Sequence, residues 1–160
     1  MHCLAVLRSM TVLVLVGLAS VAAPESPASA EPGLTSVLTA VRGQGIGHLS
    51  LSPTARSPDF WAQGEVSIHG GLPSTSYIFQ RAIDHTPGDG VCDIAPAPPD
   101  GWITLVTLTT SPAGAGAAHF VRHTSSAATP GGTRFDVVGR LMTTDGTQLL
   151  QSRCMTVRVK

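Results

Sequence analysis

Arg153-Cys154-Met155-Thr156-Val157-Arg158-Val159 alternates between two chemistries. Met155, Val157 and Val159 fall on one side of an extended chain, and Cys154, Thr156 and Arg158 on the other. Successive side chains of a β-strand point to opposite faces, so the segment reads as a strand with one dry and one wet face. That pattern belongs to antiparallel sheets packed on one side only. The same alternation places Val66 and Ile68 together in Glu65-Val66-Ser67-Ile68-His69, and Phe135 and Val137 together in Arg134-Phe135-Asp136-Val137.

Working outward, runs rich in Val, Ile, Thr and aromatics predict strands at Ser36–Arg42, His48–Ser52, Glu65–His69, Ser76–Asp84, Ile103–Thr109, Ala117–His123, Arg134–Leu141 and Arg153–Val159. Turn-formers separate them: Gly70-Gly71-Leu72-Pro73, Pro87-Gly88-Asp89-Gly90, Pro96 to Gly101, Pro130-Gly131-Gly132 and Asp145-Gly146. Asp145-Gly146, between Leu141-Met142 and Leu149-Leu150, predicts a tight hairpin. Gly43-Gln44-Gly45-Ile46-Gly47 has no lysine and no helix after it, so it reads as a hairpin turn and not a phosphate cradle. No segment carries a capped stripe of helical period. The expected fold is all-β: an antiparallel, immunoglobulin-like sandwich of two sheets, about seven or eight strands and Greek-key links.

The first thirty residues follow another logic. Arg8 precedes the apolar run Met10–Ala19, and small residues ending Ala28-Ser29-Ala30 follow it. Positive end, apolar core and small residues at −3 and −1 form the order of a secretion signal. The run is shorter than the roughly 20 residues that span a bilayer. Residues 1–30 are therefore expected to be a signal peptide cleaved between Ala30 and Glu31, leaving 31–160 as one β-sandwich domain in a secreted or extracytoplasmic location. The new N-terminus is expected to be loose up to about Pro32. No lipidated cysteine follows the apolar core, and no stable membrane anchor is expected after cleavage.

Cysteine usage points the same way. Cys3 leaves with the leader, and Cys92 and Cys154 remain. Two cysteines in an exported domain pair as a rule. Closing that loop would stabilise the fold by about 4 kcal/mol in the chain-entropy model. Because Cys154 sits opposite Met155 and Val157, the bridge is expected on the outer face, pinning the Gly90–Ala95 loop across the last strand.

Ten Lys and Arg balance ten Asp and Glu, and the charges are scattered singly. Nucleic acid is excluded as a partner, because no basic stripe exists to neutralise phosphates. Lys160 is the sole lysine, a composition that suits an arginine-preferring, high-GC genome.

Chemistry-bearing residues are few. There is no G-x-S-x-G nucleophile turn. His119 and His123 share one strand face but stand about 13 Å apart at strand rise, too far to hold one ion. His69 and His85 are placed at strand ends. Asp84, Asp89 and Asp93 surround Cys92 without the ligand order of an EF-hand loop, and read as a solvated turn. Trp61 and Trp102 read either as core residues, the favoured placement, or as exposed binding residues. No catalytic, cofactor-binding or metal-binding residue is assigned.

Gly71-Leu72-Pro73-Ser74-Thr75-Ser76-Tyr77-Ile78-Phe79 resembles the tyrosine turn that enters a strand in fibronectin type III and related sandwiches. The resemblance implies a packed ring whose hydroxyl bonds nearby backbone. A longer series resembles the neocarzinostatin-type apoproteins, which are secreted actinobacterial sandwiches carrying an enediyne. It comprises Gly71 to Tyr77, Cys92, Leu105 to Thr110, Gly114-Ala115-Gly116 and Phe120-Val121-Arg122. It implies an actinobacterial source and a small-molecule carrier; that family has two local disulfides, whereas this chain can form one of long range. No binding residue is carried over.

The expected function is a secreted, non-catalytic protein that binds a partner at the cell envelope or outside the cell, with the loops Pro87–Gly101 and Ser125–Gly132 as contact surface. The alternatives are a secreted small-molecule carrier, which needs a concave apolar pocket, and a metal-dependent enzyme, which needs three converging ligands.

Overall fold

A computed structural model describes residues 34–56, 59–84, 89–94, 101–125 and 130–159, with backbone alone at 54–56 and 124–125. The expected leader, its Ala30–Glu31 cleavage point, the residues up to Pro32, and His85 lie outside the described residues. So do parts of both candidate contact loops. The described elements belong to one compact unit, Glu31–Lys160.

Nine strands appear among the described residues: β1 (Leu34–Arg42), β2 (Ile46–Arg56), β3 (Asp59–His69), β4 (Ser76–Asp84), β5 (Ile103–Thr109), β6 (Gly116–Ser125), β7 (Arg134–Thr143), β8 (Leu149–Ser152) and β9 (Met155–Arg158). None of the described residues is helical. β4 and β5 have the expected bounds. β3 begins six residues earlier than the alternation suggests, at Asp59. Its inward positions there are Phe60, Ala62 and Gly64, and the last two are too small to register as a hydrophobic period. At Gly64 space is short: a Cβ there would meet the Ser50 carbonyl oxygen and the Phe120 ring.

Pairing is antiparallel throughout, in the order β5-β4-β7-β8-β1-β2-β3-β6, with β9 beside β7. The all-β antiparallel expectation therefore holds. The ladder itself does not divide into two separate sheets. It runs on as one sheet folded over itself into a nearly closed, barrel-like wall, and its two edges, β5 and β6, meet at their shared turn. There Ser111 N–H donates to Ala115 O at 2.7 Å.

β8 and β9 both line one edge of β7. Arg140 pairs Gln151 and Val137 pairs Met155, so the β8–β9 side carries one extra residue at Arg153–Cys154. That is a β-bulge. Ser152 Oγ compensates the interrupted ladder by accepting from Gly139 N–H at 2.8 Å. The Asp145-Gly146 hairpin closes as expected, with Gly146 at φ +68° and its N–H donating to Thr143 O.

Two apolar clusters fill the wall. The larger joins Leu38, Leu49, Val66, Ile68 and Phe120 to Tyr77, Phe79, Leu108, Leu141 and Leu150. The smaller holds Phe60, Phe135, Val137, Val157 and Val159. Burying a side chain such as Phe79 contributes roughly 1.5–3 kcal/mol. Tyr77 is fully buried; its hydroxyl accepts from Leu72 N–H at 2.9 Å and donates to Gln148 Oε1 at 3.0 Å. The tyrosine turn thus behaves as its sequence implied.

Candidate functional site

The wall has two outer faces, and they differ. On the β4–β7–β9 side the chain covers itself. Asp136 on β7 is fully buried, and its cross-strand partner Asp84 on β4 nearly so. Gly90 N–H donates to Asp136 Oδ2 at 3.0 Å, and Asp93 N–H to Asp84 Oδ2 at 2.8 Å. Between these two anchors, Cys92 is bonded to Cys154 in the bulge, across a sequence separation of 62. Val157 and Val159 are buried while Arg158 is exposed, so the bridge lies on the outer face. Farther along, the Arg140 guanidinium sits 3.9 Å from the centre of the Trp102 ring, and its Nε donates to Gln80 Oε1 at 2.8 Å. Burial lowers the Arg140 pKa from its ordinary value.

These contacts correct two readings. Asp84 belongs to no solvated turn: it is a buried acceptor that fastens the Asp89–Ile94 segment. Asp89 alone of the three caps its own turn, accepting from Val91 N–H at 2.8 Å. Trp102 is half-buried under Arg140, outside the core clusters.

Among the described residues, nothing covers the β1–β2–β3–β6 side. Val37, Val41, Ile46, Trp61 and Val121 are exposed there. Of the two placements open for Trp61 the favoured one, in the core, does not hold: alternation from buried Phe60 turns it outward, where it is 39% exposed. Its cross-strand partner is His123, whose ring lies 4.4 Å away, tilted by 40°. His123 Nε2 in turn is 2.9 Å from Asp59 Oδ1. Four residue pairs along the same ladder, His119 Nε2 stands 3.4 Å from Glu65 Oε2. His119 and His123 therefore serve separate carboxylates, as their strand spacing requires.

A groove of about 280 Å³ lies on this face, lined by Thr35, Ser36, Val37, His48, Leu49, Ser50, Glu65 and Ser67. Its walls offer hydroxyls and an imidazole, which donate and accept hydrogen bonds, and a carboxylate, which accepts them. His69 ends β3, exposed. Among the described residues, no three His, Cys, Asp or Glu side chains converge to hold a metal. Sequence reasoning found the histidines but not their partners, because pairing across β3 and β6 depends on a register that neither strand encodes alone.

Compared with known proteins, the chain matches no family model, no curated protein and no solved structure.

Proposed function

We propose that the protein is an exported, non-catalytic recognition domain whose binding surface is the outer face of β1, β2, β3 and β6. One observation carries this reading: the two outer faces are treated oppositely. The chain spends a loop, a disulfide, two buried carboxylates and Trp102 on covering the β4–β7–β9 side. It leaves Val37, Ile46, Trp61 and Val121 in water on the other. Exposed apolar side chains gathered on one face mark interaction sites. The described part of the loop first favoured as contact surface, Asp89–Ile94, is fastened down, which favours the bare sheet instead.

Export is supported by the leader-like residues 1–30 and by the disulfide, a bond that persists in oxidising compartments. An immunoglobulin-like, Greek-key kinship is supported by the Tyr77 corner.

The test replaces three exposed residues together, Val37→Lys, Ile46→Lys and Val121→Lys, in the intact protein. Binding to the producing organism's envelope fraction should be lost while the thermal midpoint stays. Undiminished binding would refute the assignment.

A further inference from the structure

Granted that the β1–β2–β3–β6 face is the recognition surface, we infer that its ligand is a neutral oligosaccharide lying along β3, with Trp61 stacking under one sugar and the Glu65 groove holding another. A pyranose ring has an apolar face of C–H groups and a fringe of hydroxyls that donate and accept. The protein presents the complement of both.

Trp61 supplies the plane. An indole gives a rigid apolar surface with a polar rim. Here it is fixed before any ligand arrives, because His123 packs against it at 4.4 Å and Asp59 holds His123 at 2.9 Å. Ordering the platform in advance removes an entropic cost from binding.

Four residues along the same strand, about 13 Å at strand rise, Glu65 enters the groove with His48, Ser50 and Ser67. An aliphatic ligand would leave these groups without partners, which costs free energy. Hydroxyls would satisfy them. Gln63 lies exposed between the two positions. The separation exceeds one sugar ring, so the ligand is a chain of linked sugars.

Charge selects the neutral class. Asp59 and Glu65 are the acidic groups of this stretch, each beside a histidine, and no Lys or Arg lines the groove. In the groove a sulfated or phosphorylated polymer would meet the Glu65 carboxylate, with no Lys or Arg among the lining residues.

The experiment titrates the intact protein calorimetrically. The probes are β-1,4-glucose, β-1,4-N-acetylglucosamine and α-1,4-glucose oligomers, with a sulfated oligosaccharide as anionic comparison. At least one neutral oligomer should bind saturably. Trp61→Ala and Glu65→Gln should each weaken it about tenfold or more, with unchanged thermal midpoints, and Trp61→Phe should retain most of it. If no neutral oligomer binds, or both variants bind like the parent, the inference is overturned.

The envelope assay separates this failure from failure of the underlying reading. Binding abolished by the Val37, Ile46 and Val121 triple variant, yet untouched by periodate oxidation of envelope glycans, overturns the sugar alone and points to a protein partner. Binding untouched by the triple variant overturns both.

Discussion

The two outer faces of one folded sheet have the same backbone and the same alternation, but they meet water differently. On β7 both sides are buried from Phe135 to Gly139. On β3 the outward residues Trp61 and Gln63 are exposed. The difference comes from what crosses each face. Asp89–Ile94, between β4 and β5, lies against this side, and its amides find two buried carboxylates. Nothing among the described residues does this for β3. Covering a face of polar strands needs dedicated acceptors and a tether, so a bare face is simply what remains when those are spent elsewhere.

The largest break in this contrast should come from the tether. Replacing Cys92 and Cys154 together by serine should cost about 4 kcal/mol in chemical denaturation, and hydrogen exchange should rise first in Asp89–Ile94. Uniform loosening of the whole sheet instead would mean that the bridge does not act on that face. Next, Trp102→Ala removes an aromatic surface and a stacked guanidinium, and should cost about 2 kcal/mol.

Asp136 sharpens the same contrast. Its Oδ1 is buried without a hydrogen-bond partner, so the carboxylate receives less than it could from its surroundings. Asp136→Asn keeps the acceptor for Gly90 N–H and removes the charge; stability should change by less than about 1 kcal/mol. Asp136→Ala, which orphans that amide, should cost more.

A smaller effect belongs to the exposed turn. The Asp145 carboxyl titrates below its ordinary range because hydrogen bonds from Thr143 and then Thr147 favour its charged form. A lowered folded-state pKa adds stability above the unfolded value, near about 4, and that stability fades as pH falls through the folded value. Asp145→Asn should therefore flatten the acid limb of the midpoint-versus-pH curve and leave the neutral region nearly unchanged. Smallest of all, Trp61→Ala and Val121→Thr should shift stability by no more than about 0.5 kcal/mol, since exposed sites of this kind contribute little to folding.

Much of the wall was legible. Period-two alternation marked the faces of β9, of the end of β3 and of the start of β7, and Gly and Asp-Gly signals marked the β1–β2 and β7–β8 turns. β8 was seen only as the return arm of a hairpin, because Leu149-Leu150-Gln151-Ser152 is too short to show a period. The site was less legible. His119 and His123 were visible as a pair on one face, but Trp61 stayed open between core and surface, because its alternation with Phe60 runs into Ala62 and Gly64.

Local pattern alone determined which side chains face together, where the chain turns and which two sulfurs could pair. Those properties depend on neighbours in sequence and on the two-residue repeat of an extended backbone. Tertiary structure decided that the sheet closes on itself, that Asp84 stands opposite Asp136, and that Trp61 meets His123 in the open. Each of these depends on the register between strands distant in sequence, and register is set by how the whole core packs.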